Sequence, residues 1–232
     1  MRVRALTHDD LTSAAHLHRY VLDMEFLSRY GQAFMRTYYQ AWVEAPQGIA
    51  LAAVDEHDIL VGTLLGAVDP AAHTRGMVRG HGAALGARLA VQALGHPALA
   101  RDLIVTRGRR YVRGLARLAS ARSGRRTVPP TAGNRGPAVG EITHVAVQPD
   151  RQGSGIGRAL VDAAVTAGRA ADLDELVLVT PPDLAAGSFY ERLGWLAGGE
   201  ITSQSGEAFR RYRFPLAATG PEGPTRPPPD VG

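Results

Sequence analysis

The sequence predicts an α/β domain with a mixed central sheet, and three observations carry that expectation. Strand-like and helix-like apolar periodicities follow one another in the order β-α-α-β-β, an interruption, then β-α-β-α-β-β. A hydrophobic content of 45% in 232 residues suffices for one sizeable core rather than two independent ones. Finally, VAVQPDRQGSGIGRAL (145–160) runs from an apolar alternation through a turn with three glycines into a helical pattern, a strand-turn-helix join.

The elements follow in order. RVRALT (2–7) reads as a short strand, and Asp9 or Asp10 can cap a helix reaching about Leu22. Phe26, Leu27, Tyr30, Phe34, Tyr38, Ala41 and Trp42 recur at spacings of three and four, so a second helix runs to Pro46. IALAAV (49–54) and ILVGTLLGAV (59–68) flank the polar turn DEHD and form a hairpin. A helix weakened by glycines spans 75–94, and another runs from Pro97, suited to a first helical position, to about Ala119. Arg109, Arg113 and Arg117 make a stripe along its polar face. Residues 120–139 lack periodicity and are rich in Gly, Pro and Arg, which predicts a flexible loop. Regular structure resumes with the strand EITHVAV (141–147), a helix over 155–171, the strand ELVLVT (175–180) and a helix over 184–193. Two strands follow near WLAGGEI and AFRRYRF. The expected organisation is one domain over 1–216 with 70–139 as a basic helical insertion, and a disordered tail at 217–232.

Charge is regional. Every one of the 26 basic residues is Arg. Between positions 70 and 139 there are 13 arginines against the single acid Asp102; elsewhere 13 arginines face 21 acids. The insertion has Tyr111 as its only aromatic, which argues against single-stranded nucleic acid as a partner. It would serve as solvated helix faces, or favour an anionic acceptor. Cysteine is absent, which excludes disulfides and thiolate chemistry, and no pair of histidines has metal-ligand spacing, so no metal is expected. No apolar run approaches the roughly 20 residues a membrane span needs, and the start has no signal-peptide core. The expectation is a cytoplasmic protein without a membrane partner.

Glycine is poor in helices, so Gly153, Gly155 and Gly157 at a helix start need another reason. Free N–H groups there bind anions, and missing side chains let a phosphate approach. The dinucleotide fingerprint fails because position 158 is Arg, and the phosphate-binding Walker loop fails for want of Lys. The pattern Q-x-x-G-x-G does fit, as Gln152, Gly155 and Gly157.

With this turn, EITHVAVQPDRQGSGIGRALVDAA (141–164) resembles the GNAT superfamily of acetyl-CoA-dependent N-acetyltransferases. A second block, DLAAGSFYERLGW (183–195), is similar to that family's N-x-x-A-x-x-x-Y-x-x-x-G-F pattern through Ala186, Tyr190 and Gly194. It departs at Asp183, where Asn is usual, and at Trp195, where Phe is usual.

The resemblance implies a mostly antiparallel mixed sheet with helices on both faces, splayed so that the coenzyme A arm enters a V-shaped gap. It implies that backbone groups of Val145, Ala146 and Val147 meet the pantetheine arm and that Asp183 lies beside it. Gln152, Gly153, Ser154, Gly155, Ile156, Gly157 and Arg158 would surround the pyrophosphate, with Arg151 adding charge. Tyr190 would protonate the leaving thiolate and Glu141 would take the proton of the amine. Strand alternation groups Glu141, Thr143, Val145 and Val147 on one face, and Ile142, His144 and Ala146 on the other. The first face would look toward the amine, while His144 would pack under helices as a structural residue. Glu25, Phe26 and Thr143 would line the acceptor side. The implied reaction is direct acetyl transfer from acetyl-CoA to a primary amine of a small molecule, such as an amino sugar or amine metabolite. A protein or peptide N-terminus is an alternative acceptor, and a non-catalytic acyl-CoA-binding or nucleic-acid-associated module an alternative role. The family's habit also implies a homodimer.

Overall fold

A computed structural model of the chain describes residues 1–23, 26–95, 136–182, 186–202 and 206–216. The helix expected at 97–119 with its arginine stripe, most of the loop at 120–139 and the tail at 217–232 lie outside the described residues. Strands β1 (Arg2–Ala5), β2 (Gly48–Val54), β3 (Leu60–Ala67), β4 (Val139–Val147), β5 (Glu175–Thr180), β6 (Leu196–Thr202) and β7 (Ala208–Pro215) form one seven-stranded sheet in the order β1-β2-β3-β4-β5-β7-β6. Only β4 and β5 pair in parallel; every other neighbour is antiparallel.

Helices α1 (Leu11–Val21) and α2 (Gly31–Val43) cover one face of this sheet. A core of Leu11, Ala15, Phe34, Met35 and Tyr39 closes there on Ala52, Leu65 and Ala146. Helix α4 (Ile156–Ala170) covers the other face and makes the crossover that a parallel β4–β5 pair requires. Its buried residues Ile156, Leu160, Val161, Ala164, Val165 and Gly168 follow the helical period and meet Leu64, Ile142, Leu176 and Leu178. The short α5 (Ala186–Arg192) adds Tyr190 to the same core. The mixed α/β architecture with helices on both faces is as the sequence predicted.

Helix α3 (Pro70–Gly95) begins five residues before the sequence reading placed it. Its start carries two ordinary signals. Asp69 accepts the N–H of Ala72 at 2.8 Å as a cap, and Pro70 occupies the first position, where no N–H is needed. Met77, Leu85 and Leu89 dock on the α1–α2 core, and His73 stacks on Trp42 at 3.8 Å. Gly76, Gly80 and Gly86 meet nothing and weaken the helix without serving a contact.

Candidate active site

The two edges of β4 behave differently along its length. Against β3 it stays paired out to Val147, opposite Gly62. Against β5 it pairs only from Val139 to Glu141, opposite Glu175 to Val177. Beyond that point the edge of residues 142–147 has no strand beside it among the described residues, and a gap opens with Glu141 at its apex. Unpaired backbone donors and acceptors on such an edge can take an extended ligand as an added strand.

A bulge sits at the apex. Leu65 pairs with His144 but Gly66 pairs with Ile142, so Thr143 is an extra, exposed residue in β4. Gly66 makes this possible: a Cβ there would lie 2.7 Å from the carbonyl oxygen of Glu141. A glycine inside an apolar strand is the sequence signal that could have revealed the bulge.

The bulge corrects the simple alternation. Opposed residues of antiparallel strands share a face, and Glu141 opposes Ala67, which belongs to the α1–α2 core. Glu141 therefore lies on the same face as His144 and Ala146, not with Val145 and Val147, which pack toward α4. Ile142 also turns to the α4 side. Thr143 belongs to neither row, because the extra residue reverses the parity that precedes it.

Glu141 is half-buried, and desolvation raises its pKa above the ordinary carboxylate value, opposed by the charge of His144. The His144 ring meets helices as expected: its Nε2 lies 3.1 Å from the Tyr38 hydroxyl, and its ring stands edge-on to His18 at 4.8 Å. A second polar chain runs beside it, His18 Nδ1 to the Tyr39 hydroxyl at 3.1 Å and that hydroxyl to Thr63 Oγ1 at 3.2 Å. Sequence reading placed Tyr38 among the apolar positions of α2; its hydroxyl contact with β4 has no periodic signature.

At the far end of the gap, the three glycines have two distinct reasons. Gly153 and Gly155 adopt φ of 77° and 86°, the left-handed region, and a Cβ on either would meet nothing within 4 Å. They turn the chain and leave open space before the first N–H groups of α4. Gly157 instead lies close to Phe189: its Cβ would stand 3.3 Å from that ring. Gln152 donates to the Val147 carbonyl at 3.3 Å and Ser154 to the Arg151 carbonyl at 2.5 Å, which tie the turn to the end of β4. Arg151 and Arg158 are exposed, while the side chains of Ile156 and Ala146 are buried, so these two can offer a ligand only their backbone.

Tyr190 lies in the α4-side core with Ile142 and Leu178, the residues on β4 and β5 just past the last parallel pair. Phe189, Trp195 and Tyr212 surround it at ring distances of 5.0, 5.7 and 6.1 Å. Burial pushes its phenol pKa up to about 12, so the proton stays on it at neutral pH. Its hydroxyl has no hydrogen-bond partner among the described residues. Glu25 and Asp183 lie outside the described residues, as does the side chain of Phe26. The one cluster of described residues with metal-ligand proximity, Asp55, Glu56 and His57, forms the exposed β2–β3 turn, where Asp55 already accepts the N–H groups of His57 and Ile59. No helix among the described residues is long and apolar enough to cross a membrane.

Known proteins supply the context for this geometry. No curated protein matches the chain in sequence. The acetyltransferase (GNAT) family model matches residues 108–195. Among solved structures, a spermidine N-acetyltransferase from Vibrio cholerae is 12% identical at a TM-score of 0.54, with 93% of this chain and 95% of that one covered. An aminoglycoside 6'-acetyltransferase type Ii is 15% identical at 0.53, covering 95% and 100%. The NatC complex bound to Gag peptide and CoA is 16% identical at 0.52, covering 93% and 98%. At such identities the likeness is one of fold, and these neighbours act on or bind acceptors of different classes. The matched segment contains the whole of β4, the glycine turn, α4 and β5; over residues 108–195 the sequence matches the GNAT acetyltransferase family, and the chain shares the fold of these acetyltransferases.

Proposed function

We propose that this protein transfers an acetyl group from acetyl-CoA to the primary amine of a small molecule. One observation carries the reading: β4 leaves β5 at Glu141 and ends in a turn whose two left-handed glycines face open space. A groove with free backbone edge along one wall and helix N–H groups at its end fits a pantetheine arm followed by a pyrophosphate.

The holding residues are the backbone groups of Val145, Ala146 and Val147 for the arm. The amides from Gly153 to Arg158 take the phosphates, with Gln152 and Ser154 keeping the turn in shape and Asp183 beside the arm. When bound, acetyl-CoA supplies a thioester activated for attack by an amine. Glu141 removes the amine's proton, directly or through a water, and its raised pKa makes it a better base than an exposed carboxylate. Tyr190 retains its proton at neutral pH and gives it to the departing sulfur. Thr143, exposed at the bulge, and the segment at Glu25 and Phe26 border the acceptor.

The test is coenzyme A release with a set of primary amines. Loss of general acid or base catalysis is worth about 10²–10⁴ in rate, so Tyr190→Phe and Glu141→Gln are each expected to lower kcat in that range while acetyl-CoA still binds. Because a desolvated carboxylate is removed, Glu141→Gln should melt no lower than wild type at neutral pH. Unaltered turnover in both variants would refute the two roles.

A further inference from the structure

Among the described residues, no helix covers the half of the sheet beyond Glu141 on the α1–α2 side. Leu176 and Leu178 of β5 turn to α4, so Val177 and Val179 face the other way, and Val179 is 41% exposed. Register extends this face across the sheet. Glu141 pairs with Val177, Val177 with Arg213 and Arg213 with Leu196, which sets one lateral row over β4, β5, β7 and β6. In the adjoining row Val179 pairs with Arg211. Beside Arg211, β6 carries the bulge at Gly198 and Gly199, so no side chain from that strand occupies the space next to it.

The charges on this floor are segregated. Glu141 stands at one end and the two guanidiniums, exposed at 46% and 54%, at the other. Their only acidic neighbour among the described residues is Glu175, 3.3 Å from Arg211 and 3.9 Å from Arg213. One carboxylate at those lengths leaves most of the ten N–H donors of two guanidiniums unfilled. Strands lie about 4.8 Å apart, so two strand spacings, about 10 Å, separate the backbones of Glu141 and Arg213.

Building on the acetyl-transfer reading, we infer that the acceptor carries an anionic group, a carboxylate or phosphate, set several bonds from its primary amine, with the amine directed to Glu141 and the anion to Arg211 and Arg213. A zwitterionic acceptor of this kind complements the floor end to end. A polyamine would place a second cation against the arginine pair and be disfavoured.

Matched probes test this: glucosamine 6-phosphate against glucosamine, 5-aminopentanoate against pentylamine, and spermidine as the cationic case. Each is followed by coenzyme A release and by direct titration into the acetyl-CoA-loaded protein. The anionic member of at least one pair is expected to be preferred by tenfold or more in kcat/KM, through KM, with the preference shrinking as salt rises. The two pairs distinguish phosphate from carboxylate. Arg211→Ala and Arg213→Gln should each reduce the preference, Arg211→Glu should reverse it toward spermidine, and Arg169→Ala, on the opposite face of the sheet, should leave it unchanged. Equal or better use by wild type of the member lacking the anion, or of spermidine, or a preference that survives the double variant, overturns the inference. Because binding is titrated alongside turnover, an anion preference is read even where no acetyl group moves. Failure to bind acetyl-CoA would instead strike the parent reading.

Discussion

The two walls of the gap are made of different material. The wall that would hold the donor is backbone: an unpaired strand edge, two left-handed glycines and the start of α4. The wall that would face the acceptor is side chains: Glu141, His144 and Tyr38 on one flank, Arg211 and Arg213 on the other. A backbone wall presents N–H and C=O groups that a change of side chain leaves in place, so it is most sensitive at its glycines. A side-chain wall can be rewritten residue by residue without disturbing the fold, which is how one fold comes to serve spermidine, an aminoglycoside and a peptide complex among its structural neighbours.

The sharpest way to break this contrast is Gly155→Val. A β-branched residue at φ 86° is a steric outlier costing at least about 1–2 kcal/mol, and its side chain would fill the open space before α4. Acetyl-CoA affinity should fall about tenfold or more by that strain alone, measured by titration, with a lower melting temperature. Gly157→Ala separates the two uses of glycine two residues on. Its backbone is already helical, and the new methyl approaches the rim of the Phe189 ring, with Val147 at an ordinary contact distance of 3.9 Å. The gain in helix propensity, up to about 1 kcal/mol, offsets that contact, so stability and acetyl-CoA affinity should both stay within about 1 kcal/mol of wild type. Equal damage from both substitutions would mean that the turn is defined by side-chain volume and not by backbone conformation.

The strand edge and glycine turn of the proposed donor wall were legible in the sequence because their determinants are local. Gly153 and Gly155 stand next to the helix they begin, and the alternation of EITHVAV touches them directly. The acceptor wall was legible only in part. Glu141 could be selected, but its neighbours could not, because one extra residue at Thr143 exchanges the faces on either side of it, and the bulge depends on Gly66 in a strand some 75 positions earlier. The row from Glu141 to Arg213 is likewise a product of register across β5 and β7, which no single segment encodes. Sequence reading sought the positive charge in the insertion, where arginines are most dense. The strand AFRRYRF holds two that the fold places on the face of Glu141.

The smallest expected effect concerns that shared face. Had alternation run unbroken, Glu141 and His144 would lie on opposite sides of β4 and could not influence each other across the sheet. With the bulge they are neighbours, and the charge of His144 opposes the desolvation that raises the Glu141 pKa. A base must be unprotonated to act, so with Glu141 in the proposed role activity is expected to fall as pH drops through its pKa, and burial sets that acid limb above the position of an exposed glutamate. Replacing His144 by Gln keeps a polar group facing the Tyr38 hydroxyl while deleting the charge. The acid limb of kcat/KM should then move to higher pH, because only the opposing influence has been removed. Tyr38→Phe is the companion measurement: it deletes one hydrogen bond, worth about 0.5–1.5 kcal/mol of stability, and keeps the imidazole near Glu141, so the limb should stay near its wild-type position. A limb that shifts equally in both variants would tie the effect to packing between α2 and β4, and an unmoved limb in His144→Gln would show that the bulge brings the two residues to one face without coupling their charges.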